Sequence, residues 1–280
     1  MQSSVIGGGS LLIAWQLKDR RVLIVGGGEV ASQRIDSILV TDAHITVLSP
    51  LKGLNEKTQA LILAHPERVT YYDRPFSGPT EIQNMDMVLT ALDDVAVSRE
   101  IVDLCRNAHI PVNAADIPDC CDFYFGSQIR DGPLQIMIST NGNGPRMASI
   151  IKEKLKRGLQ GNEGKALERL GLLREKLKEL APGVGGAVGR RRMGWMSRLC
   201  NQWTMDEFAA LDEQAMQMIL EKGWEANEIP DPEEIIGRVA TVDAYIPPLP
   251  APSPSLLLPT ITFILGAASV TLLHVFLRRR

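Results

Sequence analysis

Between residues 21 and 140, short continuous apolar runs alternate with stretches whose apolar residues recur every three or four positions. Val22-Leu23-Ile24-Val25 is the first run. With no polar residue alternating inside it, it reads as a strand covered on both faces, as in a parallel sheet. A helix is expected from Val30 to Leu39, a second strand from His44 to Leu48 and a weaker third from Val69 to Tyr72. Met87 to Thr90 reads as a fourth strand, Ser98 to Asn107 as a helix, and Pro111 to Ala115 opens a fifth strand. This alternation predicts an α/β fold with a doubly wound parallel sheet.

After Asp116 the pattern changes. Asp122 to Ile129 and Leu134 to Ser139 are strand-like, and the Arg130-Asp131-Gly132-Pro133 turn between them predicts an antiparallel hairpin. Pro145 is suited to a first helical turn. The helix expected from Arg146 to Leu159 carries Met147, Ile150, Ile151 and Leu155 on one face. Residues 161–240 are helical and charged, interrupted by a glycine-rich stretch from Pro182 to Gly189. A proline-rich linker over 241–255 follows, and such a segment is extended and semi-rigid.

Leu256 to Leu277 is mostly apolar and ends on Arg278-Arg279-Arg280. At ~1.5 Å per residue a helix there would span roughly 33 Å, about one bilayer core. The expectation is a C-terminal transmembrane anchor that leaves the rest of the chain facing the cytosol. No secretory signal pattern is apparent at the start.

The chemistry begins at Gly26-Gly27-Gly28-Glu29-Val30-Ala31, between the first strand and the first helix. Gly26 permits a sharp turn, and Gly28 lets a pyrophosphate approach the backbone. Ala31 allows close helix–strand packing, and the helix N-terminus offers free N–H groups. The context predicts a Rossmann-like domain over residues 1–116 that binds a nicotinamide dinucleotide through Gly26, Gly27, Gly28, Glu29 and Val30. An acidic residue usually meets the ribose at the end of the second strand. Here that strand ends Leu48-Ser49-Pro50, so Ser49, Pro50 and Leu51 are the expected ribose contacts. No Arg or Lys stands at 49 or 50, although Lys52 is close, which favours NAD over NADP. Thr90, Ala91 and Leu92 should flank the nicotinamide, and Asp116, after Asn113-Ala114-Ala115, stands where the fifth strand ends in the ligand crevice.

Composition narrows the classes. A net charge of −3 gives no footprint for nucleic acid. Cys105, Cys120, Cys121 and Cys200 form no C-x-x-C pair, which argues against a zinc ribbon or thioredoxin-like site. No protein metal site is expected from His44, His65 or His109 either. Arg169, Arg174, Lys176 and Lys178 read as a solvated helix face, and the absence of a Y-x-x-x-K pair disfavours a short-chain dehydrogenase.

Five segments occur in a telling order: Gln16-Leu17-Lys18, Val25 to Ala31, Asn113-Ala114-Ala115-Asp116, Cys121-Asp122-Phe123-Tyr124-Phe125, and Ser139-Thr140-Asn141-Gly142 through Gly144-Pro145-Arg146. With them the chain resembles the fungal bifunctional sirohaem synthases, which combine precorrin-2 dehydrogenase and sirohydrochlorin ferrochelatase. The resemblance covers roughly residues 11 to 240. It implies hydride transfer from precorrin-2 to NAD⁺, then Fe²⁺ insertion into sirohydrochlorin, with Fe²⁺ a substrate and not a resident ion. It also implies that Asp116 acts as general base in both steps, that Asn113 and Ser139 lie near the substrate, and that residues 117–160 form a homodimer. Catalytic residues in the helical domain cannot be carried over. A dehydrogenase lacking chelatase activity, or a tethered NAD-binding protein without chemistry, are the competing readings.

Overall fold

The computed structural model describes residues 9–237. Five parallel strands form one sheet: β1 (Arg21–Val25), β2 (His44–Leu48), β3 (Val69–Tyr72), β4 (Met87–Thr90) and β5 (Val112–Ala114), in the order β3-β2-β1-β4-β5. Helix α1 (Glu29–Leu39) follows β1, α2 (Glu56–Ala64) follows β2, and α3 (Val95–Asn107) follows β4. The order reverses at β1, so the chain leaves β1 and β4 in opposite directions and opens a crevice above their carboxyl ends. One face buries Val22, Ile24, Ile35, Ile45, Val47 and Leu89 against α1 and α2. The other buries Leu23, Val25, Val88, Ile101, Val102 and Val112 against α3. Central strands covered on both sides explain why β1 and β4 read as unbroken apolar runs.

Two helix starts show what periodicity alone does not reveal. The Asp94 carboxylate accepts from Ala96 N and Val97 N, so α3 begins at Val95 instead of Ser98. The Asn55 side chain caps α2 by accepting from Thr58 N at 2.7 Å, in a stretch where no helix was expected.

The hairpin is present but shorter at its start: β6 (Ser127–Asp131) pairs antiparallel with β7 (Leu134–Ile138). Residues 122 to 126 are not strand, because the edge of β5 claims them. Asp122 N donates to Val112 O at 2.9 Å, Val112 N donates back to the Asp122 carboxylate at 3.0 Å, and Asn113 Nδ2 donates to Phe123 O at 2.8 Å. An edge strand left bare would expose unpaired backbone groups, and this segment covers it. Helix α4 (Pro145–Lys156) follows the hairpin.

Among the described residues, 9–156 with 163–172 form one compact unit, and 157–162 with 173–237 form the second. The second unit contains the last turns of α5 (Glu163–Leu180), from Leu173 on, with α6 (Gly186–Gln202), α7 (Met205–Ala210), α8 (Glu213–Ile219) and α9 (Pro232–Ile236). Its core gathers Leu173, Leu177, Trp195, Leu199, Leu211, Met216 and Trp224. Two buried indoles satisfy their N–H groups on backbone, Trp195 on Glu228 O at 2.8 Å and Trp203 on Pro230 O at 3.1 Å. The glycine-rich stretch does not interrupt the helical unit for long: α6 starts at Gly186, after Gly183 and Gly185 turn with positive φ.

The expected fold class is corrected at its end. No helix among the described residues is long and apolar enough to cross a membrane, and the segment 256–277 that carried the transmembrane expectation lies outside the described residues. An apolar run of bilayer length sets an upper bound on what a chain could span; it does not by itself make a helix.

Candidate active site

The glycine turn is fixed by contact on two sides and open on the third. Gly26 has φ +120°, and a Cβ there would lie 2.1 Å from Ala91 O. Its N–H donates to Leu48 O at 2.9 Å, and Ala91 N donates to Val25 O at 2.8 Å, so the turn is threaded between β2 and β4. A Cβ on Gly27 would meet Leu54 Cδ2 at 2.4 Å and Ser49 Oγ at 2.7 Å. Gly28 differs: nothing lies within 4 Å of where its Cβ would be. It is the N-cap of α1, and no side chain caps that end. The first-turn N–H groups therefore face open space at the positive end of the helix. Close packing behind, bare backbone in front and an uncapped helix N-terminus fit a dinucleotide pyrophosphate. Glu29 braces the next loop, accepting from Asn55 Nδ2 at 3.2 Å.

The end of β2 is built differently from the sequence expectation. Ser49 is 4% exposed. Its hydroxyl packs beneath Gly27 and donates to Pro50 O at 3.2 Å, while Tyr71 Oη donates to its carbonyl at 2.9 Å. Its side chain thus supports the turn from below, and Pro50 and Leu51 present the surface. Leu51 N donates to the Asp73 carboxylate at 2.6 Å. An acidic group does stand at the end of β2, delivered from just beyond β3. Sequence position hid it, because the pairing of β2 with β3 sets that proximity.

Across the crevice, Asp116 sits at the tip of a tight turn. Ala115 N donates to Thr90 O at 2.9 Å and Ile117 N to Ala114 O at 3.3 Å. Asp116 adopts φ +59°, a left-handed conformation that Asp tolerates better than most residues, and its side chain is exposed. The Cys121 thiol lies under the turn, donating to Ala114 O at 3.1 Å and Ile117 O at 3.4 Å. Burial pushes this thiol up, so it stays a protonated donor. Beside the turn, Asn113 and Thr90 are 3% and 2% exposed. Asn113 Oδ1 and Thr90 Oγ1 are buried with no hydrogen-bond partner. Such orphaned polar atoms call for an explanation, and a functional site is one.

Three segments match family models: residues 13–127 match putative NAD(P)-binding, 131–158 the sirohaem biosynthesis protein central region, and 161–230 the sirohaem biosynthesis protein C-terminal region. The siroheme biosynthesis protein met8 of Schizosaccharomyces pombe is 46% identical over 244 residues, covering 87% of this chain and 90% of that protein. The chain belongs to the sirohaem biosynthesis family. A siroheme synthase of Psychrobacter arcticus is 30% identical over 205 residues, but these cover only 36% of that longer protein. Among solved structures, the one named SirC, precorrin-2 dehydrogenase, superposes with a TM-score of 0.58 at 22% identity, covering 78% of this chain and all of that one. That likeness supports the fold.

The remaining residues of this sirohaem biosynthesis protein take simpler places. Ser139, at the end of β7, accepts from Asn141 N at 3.2 Å. Cys120 is buried near Arg99, and burial pushes the Cys105 thiol up to about 12. Among the described residues no three His, Cys, Asp or Glu side chains gather as a metal site. Lys176 pairs with Glu213 on the helical surface. Sequence reasoning missed Arg34. This α1 residue lies half-buried, with its guanidinium 4.1 Å from the Phe125 ring centroid. A cation in an amphipathic helix ordinarily marks a solvated face, and only the packing of residues 121–126 against α1 reveals otherwise.

Proposed function

We propose that this chain oxidises precorrin-2 to sirohydrochlorin with NAD⁺ and then inserts Fe²⁺ into the product, with Asp116 as the base in both steps. The observation that carries this reading is the exposed Asp116 turn facing the glycine turn across the topological crossover of a sirohaem biosynthesis protein. A nicotinamide dinucleotide, when bound, would supply the hydride acceptor. The chain's own part is to hold the dinucleotide on the uncapped end of α1, to flank it with Ala91 and Leu92, and to take a proton from ring carbon at Asp116. During metal insertion two pyrrole protons leave as Fe²⁺ enters; in this reading the same exposed carboxylate takes them one at a time and passes each to solvent. Fe²⁺ is a substrate here, and its delivery needs no protein cage.

NAD is preferred to NADP in this reading. Asp73 puts a negative charge beside Leu51 N, where a 2′-phosphate would be repelled, and neither Ser49 nor Pro50 can pair with one. Asp116→Asn tests the chemistry, because Asn tolerates the same left-handed backbone. Dehydrogenation should fall by roughly 10²–10⁴-fold while NAD affinity, measured by calorimetry, stays within twofold. Normal turnover would remove Asp116 from the mechanism. Following the same variant with sirohydrochlorin and Fe²⁺ against a protein-free control decides whether metal insertion belongs to this chain.

We also infer a homodimer through the hairpin and α4. Met147, Ile150, Ile151 and Leu155 share one face of α4 and are all exposed, Ile150 by 49%. A stripe of that kind is what a second copy of the chain would cover. Ile150→Glu should convert a dimer to a monomer in sedimentation velocity. A wild-type chain that sediments as a monomer at micromolar concentration would refute the assembly.

A further inference from the structure

Arg34 carries the strongest unused signal in the dinucleotide unit. It projects from the second turn of α1 and stacks on Phe125 at 4.1 Å. Phe125 packs on Phe123 with centroids 5.8 Å apart, and Phe123 meets Trp15 edge-on at 6.2 Å. The three rings form an aromatic wall that ends at the guanidinium. Asn113 joins that wall through its Nδ2 bond to Phe123 O, with its Oδ1 left unpartnered.

Among the described residues, no hydrogen bond and no ion pair engages the Arg34 guanidinium. That is unusual for a half-buried cation, since partial desolvation is normally offset by an acidic partner. Burial pulls this guanidinium below its ordinary value, and among the groups that act against that pull is the Asp116 carboxylate. Arg34 therefore stands in the electrostatic neighbourhood of the candidate base, with five N–H donors still to satisfy. Stacking on Phe125 fixes the plane of the fork and lowers the entropy lost when it binds an anion.

We propose that Arg34 is a substrate-binding residue that receives a peripheral carboxylate of the tetrapyrrole and so sets which edge of the macrocycle faces Asp116. This rests on the function proposed above, whose substrate is a flat ring bearing acetate and propionate carboxylates. An aromatic wall accommodates the ring, and a planar guanidinium at the end of the wall matches a carboxylate bidentately. Asp116 itself is a poor permanent partner for Arg34, because a base tied in an ion pair would be less able to take a proton.

The test uses the full chain with Arg34→Met, which keeps the stem packed on Phe125 but removes the fork, and Arg34→Lys, which keeps the charge without the bidentate geometry. For Arg34→Met, the KM for precorrin-2 should rise about 10–100-fold, kcat should fall less than the KM rises, and NAD affinity should hold within twofold. Arg34→Lys should recover part of the loss. Sirohydrochlorin binding, followed by its absorbance, gives a second readout without turnover. A sirohydrochlorin lacking its acetate carboxyls should bind wild type more weakly than the parent compound, and the two compounds should bind Arg34→Met alike. A KM within twofold of wild type in Arg34→Met overturns the proposal, as does an equal loss of NAD affinity, which would mark a folding role. If wild type itself neither binds nor oxidises the tetrapyrrole, the function proposed above falls, and this assignment with it.

Discussion

The two turns that face each other across the crevice are made rigid in opposite ways. The glycine turn is held by exclusion: Gly26 and Gly27 are hemmed in by Ala91, Ser49 and Leu54 so closely that no side chain fits. The Asp116 turn is held by hydrogen bonds, from Ala115 N to Thr90 O and from the Cys121 thiol to Ala114 O and Ile117 O. In the function proposed above, the first presents bare backbone to a phosphate and gains from having no side chains. In the same proposal the second presents a reactive side chain, and its backbone is tied down from beneath while Asp116 stays exposed. A binding surface and a proton acceptor would make different demands on the chain, and on that proposal one sheet edge meets both.

Substitutions can break this contrast at either end. The largest effect is expected within the glycine turn itself. Gly26→Ala adds a Cβ into Ala91 O at a φ of +120°, combining backbone strain with overpacking. Stability should fall on the order of 3–5 kcal/mol by denaturant unfolding. Gly28→Ala, two residues on, meets only open space. It should cost under about 1 kcal/mol of stability yet weaken dinucleotide binding roughly tenfold or more, about 1.4 kcal/mol. If Gly28→Ala instead left NAD affinity untouched, the open front of the turn would not be where the pyrophosphate lies.

The smallest effect should come from the other turn. Cys121→Ala removes the thiol donors and should cost about 1 kcal/mol, with turnover lowered roughly 2–5-fold as Asp116 loses its exact seat. Cys121→Ser, which keeps an O–H donor, should restore most of the turnover. Equal activity in all three forms would show that the backbone bonds alone hold the Asp116 turn.

The strands that carry both turns were legible because they are buried on two faces, and a continuous apolar run admits few other readings. Four of them, β1 to β4, lie where the apolar runs place them, give or take a residue at Arg21. Asp122 to Gly126 misled for a physical reason: alternating aromatic residues look like a half-buried strand, but here they line the edge of β5 and pack toward α1. Ser49 is expected at the ribose from its place after β2, and its contact beneath Gly27 turns its side chain inward. The contacts of Asp73 with Leu51 N and of Arg34 with Phe125 were invisible because each residue comes from a neighbouring element, and the packing that brings them together is a property of the fold.

The aromatic wall also gives the protein a spectroscopic division of labour. Of its four tryptophans, Trp195, Trp203 and Trp224 are buried in the helical unit, while Trp15 is 41% exposed at the end of the Phe123–Phe125 stack. Emission from the chain therefore sums a blue, shielded component from one unit and a redder, solvent-touched component from the other. A coloured macrocycle settling along the wall would quench Trp15 by contact, so the redder component of the emission would register occupancy of the wall.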